Sequence, residues 1–338
     1  MNIFTTVPAS LGPKKPGQLS DGQLKQFFDD GFLVIENFFE KHELLPVLDE
    51  MERQVDALAQ KLHEAGKIKE LHKEADVYHR LTLLDQQFPN ASVILHQQKK
   101  VLPKPLQAIF AHERLLNLME QILGGDVMGS AVWNTRFKTP NDPMHDVPWH
   151  QDGCYFLPEA DETFMISAWI PLVDTDLNCG GMQVVKGAHR EGRLGSHKGC
   201  WQDTWYLYMD EEDLKELGCD LQKDVVKAEV PFGGVFLFNN LTPHMTALNL
   251  SDKVRWAMDF RYHRAGTHPG VGKASLPLRI RNSPDLHIDW DTFNSVDRHK
   301  LVEQEEDQFS VRINPEMWLR RWPVAHENKH TLLYTNRQ

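Results

Sequence analysis

The run Pro148-Trp149-His150-Gln151-Asp152-Gly153 places an imidazole and a carboxylate two residues apart. Residues so spaced face the same side of an extended strand, so His150 and Asp152 can present a nitrogen and an oxygen to one metal ion. The pattern alone is not selective. The chain has 17 histidines, and His-x-acid recurs at His72-Lys73-Glu74 and at His287-Ile288-Asp289. Downstream context separates the three. After His150 come an apolar run, Val235-Phe236-Leu237-Phe238, then Leu241-Thr242-Pro243-His244, then Arg255 at the head of a strand-like segment. Two imidazoles and one carboxylate leave three positions open on a metal, the arrangement expected of non-haem Fe(II) oxygenases. His287 does have His326 and, eleven residues on, Arg337. Few strands fit between them, however, and Arg337 is the penultimate residue, where chain ends fray. His72 sits in a polar segment without strand patterning. Both read as surface histidines.

The elements that must position these groups are legible in part. Ser20 can cap a helix through Leu24, Phe27 and Phe28 that stops at Gly31 and gives way to the apolar Phe32-Leu33-Val34-Ile35. Leu44, Leu48, Met51, Val55, Leu58 and Leu62 step by four and three, the stripe of a helix ending at Gly66 with Pro46 near its first turn. Residues 67–100, polar and rich in His and Lys, read as irregular. A further amphipathic helix carries Leu115, Leu116, Met119, Ile122 and Leu123 and ends at Gly124-Gly125. Strand patterns then dominate: Gly129–Thr139, Phe164–Leu172, Met182–Val185, Val225–Val230, Val235–Asn239 and Val254–Tyr262. Several short strands without intervening helices point to a sandwich or jelly roll. The expected organisation is a flexible leader over 1–18, one domain over 19–263, and an extension over 264–338 packed on that domain.

Composition narrows the function classes. With 41% apolar and 25% charged residues, the 338-residue chain reads as a globular protein. Its net charge of −11 offers no global field for nucleic acid or an acidic membrane. Cys154, Cys179, Cys200 and Cys219 lie far apart with no CxxC pair, which fits a reduced compartment. There is no apolar run of membrane-spanning length, and Met1 to Pro16 lacks the layout of a signal peptide, so a cytoplasmic protein is expected.

Several motifs in order resemble a known family. Gly31-Phe32-Leu33-Val34, the His150 run, Trp169-Ile170-Pro171-Leu172, Gly180 through His189, Thr242-Pro243-His244 and Arg255 together look like the phytanoyl-CoA dioxygenase (PhyH-like) family of Fe(II)- and 2-oxoglutarate-dependent oxygenases. The resemblance implies a mainly β fold with flanking helices, a cupin-like double-stranded β-helix. It implies Fe(II) held by His150, Asp152 and His244, with 2-oxoglutarate and O2 as cosubstrates. Arg255 matches the residue that grips the distal carboxylate of 2-oxoglutarate, a task suited to a planar guanidinium. Thr246 can add a hydroxyl to that carboxylate, and Trp169 matches an aromatic position beside the cosubstrate, although a simple core tryptophan reads nearly as well. The implied reaction converts 2-oxoglutarate to succinate and CO2 while hydroxylating an aliphatic C–H of a small organic substrate. Related halogenases replace the carboxylate ligand by a small residue; this chain keeps Asp152, which disfavours halogenation.

Other residues carry open alternatives. Gln151 points away from the ligands if the strand is regular. Lys138 can neutralise an acid or face water, and water is the expectation. His189 reads as structural. Residues 191–224 hold Trp201, Trp205, Tyr206 and Tyr208 and nine acids against four bases, a lid unwelcoming to a polyanionic CoA ester or simply a solvated acidic helix. A cupin-like metal enzyme without oxygenase chemistry would not need Arg255. A catalytically silent binding protein would need no open metal face.

Overall fold

The computed structural model describes residues 2–97, 101–198, 201, 206–270 and 275–295. The N-terminal third is helical. Helix α1 (Asp21–Asp30) is capped by Ser20 in a reciprocal capping box with Gln23 and ends at Gly31 in the left-handed region (φ 85°). Strand β1 (Phe32–Ile35) follows, then α2 (Lys41–Glu64), whose buried stripe runs from Leu44 to Leu62. Pro46 stands inside this helix, deeper than its first turn. The segment expected to be irregular instead contains α3 (Arg80–Gln87) and α4 (Ala91–Gln97). Both are too short for periodicity to reveal. Tertiary contacts hold them: Leu81, Leu84 and Ile94 join the main core, and buried Arg80 reaches Asp56 at 2.7 Å. Helices α5 (Lys104–Phe110) and α6 (Glu113–Leu123) complete the layer, α6 ending at left-handed Gly124. No described helix is long and apolar enough to cross a membrane.

The β part comprises β2 (Val127–Ser130), β3 (Asn134–Lys138), β4 (Met165–Pro171), β5 (Met182–Val185), β6 (Val225–Ala228), β7 (Val235–Asn239), β8 (His244–Thr246), β9 (Arg255–Arg264) and β10 (Ser275–Arg279). The expected strand over 129–139 is two strands. Ser130 breaks it, its hydroxyl accepting from Val132 N and donating to Pro269 O, and the halves pair with opposite ends of β9. The larger sheet has the order β1-β7-β4-β9-β2-β10, with β3 also on β9; the smaller is β6-β5-β8; every pairing is antiparallel. The two sheets form a cupin-like double-stranded β-helix flanked by helices. Past residue 263 the larger sheet gains β10, and α8 (Trp290–Ser295) buries Phe293 against Phe110. The leader is tied down as well: Phe4 is buried edge-on to Phe164, and Lys15 reaches Glu120 at 2.5 Å.

Alternation along β9 explains where the site lies. Trp256, Met258, Phe260 and Tyr262 face the helices and enter the main core, whereas Arg255, Asp259 and Arg261 face the space between the sheets. That space is apolar on one side, where Phe32, Val184, Phe236 and Phe238 pack together. The charged groups gather on the other.

Candidate active site

The two histidines are held by each other's backbone. His150 N donates to His244 O at 3.0 Å and His244 N to His150 O at 2.9 Å, an antiparallel bridge that extends the smaller sheet. The expected regular strand through Asp152 does not continue; Asp152 opens a 3-10 turn running to Tyr155. The turn, rather than strand alternation, swings the carboxylate back between the rings. Gly153 permits it: a Cβ there would lie 2.8 Å from Leu194 and 3.3 Å from Asn240 O. Asp152 Oδ1 then sits 3.7 Å from His150 Nε2 and 3.9 Å from His244 Nε2. These three, all buried, form the one metal-capable cluster found among the described residues.

The donors are in the right state for a cation. His150 Nδ1 bonds Pro148 O at 2.9 Å and His244 Nδ1 bonds Thr242 O at 3.0 Å, which fixes the tautomers and leaves both Nε2 lone pairs facing Asp152. Burial, reinforced by the neighbouring His150, pushes the His244 imidazole down to about 3, so it is neutral at physiological pH. Burial alone would raise the Asp152 carboxyl. The Arg261 guanidinium, the contact with His150 and nearby His244 outweigh it and hold the group well below the usual carboxylate range.

Arg261 is the residue that sequence reasoning missed. Its Nε and Nη2 grip Asp152 Oδ2 and Oδ1 at 3.0 and 2.9 Å, and Ser167 Oγ donates to Oδ2 at 2.8 Å. The same guanidinium reaches Asp259 at 3.2 Å. The signal available was a polar alternation in β9, which ordinarily marks a solvent face.

Arg255 lines the same pocket as the triad. It is 2% exposed, its Nε and Nη1 have no hydrogen-bond partner, and its guanidinium carbon stands 5.4 Å over the Trp169 ring. Burial lowers it to about 10, still a cation at neutral pH. Trp169 packs in the apolar cluster between the sheets and also offers its face to the arginine. Thr246 lines the same pocket, with its hydroxyl 3.4 Å from Val147 N.

Lys138 contradicts its expected solvent exposure. It is 1% exposed and bonds Asp146 and Ala247 O at 2.6 Å and Thr246 O at 3.3 Å, tying β3 to the strand that carries His244. Burial and adjacent Arg255 lower it to about 8. Gln151 does point away from the ligands. Its amide donates to Leu241 O and Arg193 O and its carbonyl accepts from Gly195 N, which fastens the 191–224 segment to the motif. His189 is buried and bonds Phe28 O at 3.0 Å. It packs so close to Gly31 that a Cβ there would lie 2.4 Å from its ring.

Within the 191–224 segment, Tyr206 lines the pocket, while the acidic run forms α7 (Glu211–Glu216), capped by Asp210 and anchored by buried Leu214. Trp205 and Cys200 fall outside the described residues, as do His326 and Arg337. The two decoys lie elsewhere. His72 bonds Gln87, and Asp289 caps α8 through Thr292. His287→Ala and His72→Asn, the latter chosen because His72 has φ 50° and asparagine tolerates that region, are expected to leave iron affinity and turnover unchanged. A loss in either, measured by metal titration and product formation, would mean that the wrong motif had been chosen.

A buried His-Asp-His cluster able to hold one metal ion lies between the sheets of a cupin-like double-stranded β-helix. The chain matches the model of the phytanoyl-CoA dioxygenase (PhyH) family over residues 27–257, and it belongs to that family. Among curated proteins it resembles 1-deoxypentalenic acid 11-beta-hydroxylase of Streptomyces exfoliatus, 28% identical over 170 residues. The same enzyme from Streptomyces arenae is 26% identical over 172 residues. Each match covers 48% of this chain and 58% of the relative, so the chain spans somewhat over half the length of the curated relatives it matches. Among solved structures it resembles EctD from S. alaskensis with bound Fe (TM-score 0.53, 19% identity, 81% of this chain and 91% of that one). It also resembles the non-heme monooxygenase ThoJ (TM-score 0.53, 17% identity, 93% and 99%). At these identities the structural matches speak for the fold alone.

Proposed function

We propose that this chain is an Fe(II)- and 2-oxoglutarate-dependent hydroxylase acting on an aliphatic C–H of a small organic molecule. The observation that carries this reading is Arg255. A guanidinium buried to 2% exposure, with two nitrogens unsatisfied, is costly unless a ligand completes it. It shares one pocket with His150, Asp152 and His244, so a ligand that chelates a metal at one end and offers a carboxylate at the other fits both features.

His150 Nε2, His244 Nε2 and the Asp152 carboxylate would hold Fe(II), a mixed nitrogen and oxygen set suited to that ion. Arg255, steadied by Trp169 and with Thr246 beside it, would hold the distal carboxylate of 2-oxoglutarate. Bound there, metal and cosubstrate supply the oxidising chemistry, with O2 consumed and 2-oxoglutarate converted to succinate and CO2. The chain's own contribution is placement. Arg261 keeps Asp152 ionised and, with Ser167, fixes its rotation, the Pro148 and Thr242 carbonyls fix the imidazoles, and Phe238 and Tyr155 shield the rings from water. The similarity to 1-deoxypentalenic acid 11-beta-hydroxylase supports hydroxylation over isomerisation. A cupin-like enzyme without 2-oxoglutarate, or a silent binding protein, would leave Arg255 without a counter-charge.

The test is anaerobic titration. A weak visible charge-transfer band is expected only when Fe(II) and 2-oxoglutarate are both present. A band with metal alone, or none with both, would overturn the reading.

A further inference from the structure

The pocket beside the triad is lined by three guanidinium groups, Arg136, Arg255 and Arg261, and by two carboxylates, Asp152 and Asp259. With its four histidines counted as neutral, the lining carries one net positive charge. Fe(II) and the 2-oxoglutarate dianion cancel one another, so the loaded pocket keeps that charge. The three arginines are not equivalent. Arg261 is engaged with Asp152, and Arg255 is enclosed beside Trp169. Arg136, on β3, has a side chain 25% exposed. Its hydrogen bond among the described residues is a long one, 3.4 Å to Asp259 Oδ2, an oxygen that Arg261 Nη1 holds more closely at 3.2 Å. A guanidinium that shares an already engaged carboxylate and opens on the pocket still has donors to offer.

The rest of the lining sets the apolar Phe137, Val147, Met182 and Phe238 beside Tyr206 and the His96 and His145 imidazoles. Tyr206 comes from the 191–224 segment, which carries nine acids against four bases. A long polyanion laid across that segment meets repulsion, whereas a single carboxylate reaching Arg136 does not. The whole chain, at −11, adds to the penalty on a polyanion.

We propose that the primary substrate is a free organic acid with an apolar carbon skeleton, its one carboxylate held by Arg136, and not an acyl-CoA thioester. This rests on the hydroxylase reading above. The apolar part of the lining takes the skeleton, and the Arg136 fork takes the carboxylate through paired N–H donors, setting which carbon faces the metal.

The experiment uses anaerobic protein loaded with Fe(II) and 2-oxoglutarate. It is titrated calorimetrically with linear and polycyclic monocarboxylic acids, their methyl esters and their CoA thioesters. Acids are expected to bind and to perturb the visible band, with esters and thioesters much weaker. Arg136→Gln should weaken acid binding by about 30-fold or more, since truncating one side of a buried charge pair costs about 2 kcal/mol at the least. Arg136→Lys should recover part of this, because an ammonium keeps the charge and loses the fork. Persistence of the band at saturating 2-oxoglutarate shows that each variant has kept its site. The proposal is overturned if no acid binds, if esters or thioesters bind as well as acids, or if acid affinity survives in Arg136→Gln. Failure of the band in the unaltered protein would instead sink the hydroxylase reading.

Discussion

Asp152→Ala is expected to abolish substrate-coupled succinate formation. The substitution removes the single anionic ligand and does something further that geometry makes plain. Arg261, which now points its Nε and Nη2 at Asp152, would be left with Asp259 and the Val132 carbonyl and would turn a bare guanidinium edge toward the metal position. A cation there repels Fe(II). Loss of a group that merely supports a ligand costs about 10–100-fold in metal affinity, so loss of the ligand together with a reversal of local charge should exceed that range. Iron content after dialysis and product-coupled succinate are the two measurements. Coupled turnover at the unaltered rate with iron still bound would refute the triad.

The second large effect is at Arg255, and it separates a 2-oxoglutarate enzyme from a generic metal protein. Arg255→Ala would leave the distal carboxylate of the cosubstrate buried without a partner, which costs about 2–5 kcal/mol. The Michaelis constant for 2-oxoglutarate should rise by roughly 30-fold or more, since each 1.4 kcal/mol is tenfold. Fe(II) affinity should stay near normal, because none of the metal-capable atoms belongs to Arg255. Lysine should rescue only part of the loss: it cannot offer two parallel donors, and it gives up the guanidinium that stands 5.4 Å over Trp169. An unchanged Michaelis constant in Arg255→Ala would remove the clamp and favour a metal enzyme of another kind.

Much of this site was legible before any coordinates. The order His150, Asp152, His244, Arg255 could be chosen over the decoys because only that set is separated by strand patterns, and strand pairing is what brings distant segments together. The ends of α1 and α6 were legible for a local reason, a serine at one start and glycines at both stops. Helices α3 and α4 were not, being too short to show a period and held by the core beneath them.

The sequence by itself determined what depends on neighbours along the chain: the caps, the long apolar stripe of α2, the alternation in β9, and the types and order of the candidate metal ligands. Only the tertiary structure decided which face of an alternating strand meets water. Arg-Trp-Ala-Met-Asp-Phe-Arg reads as one buried and one exposed face, yet both are buried, because a second sheet covers the polar one. That burial turns Arg261 into the partner of a carboxylate 109 residues away, makes Lys138 a tie between strands, and leaves Arg255 and Arg136 as cations facing a pocket. Side-chain direction is set locally by backbone alternation, whereas the charge a side chain finds opposite it is set by how the sheets close, and a run of residues read alone does not contain that second fact.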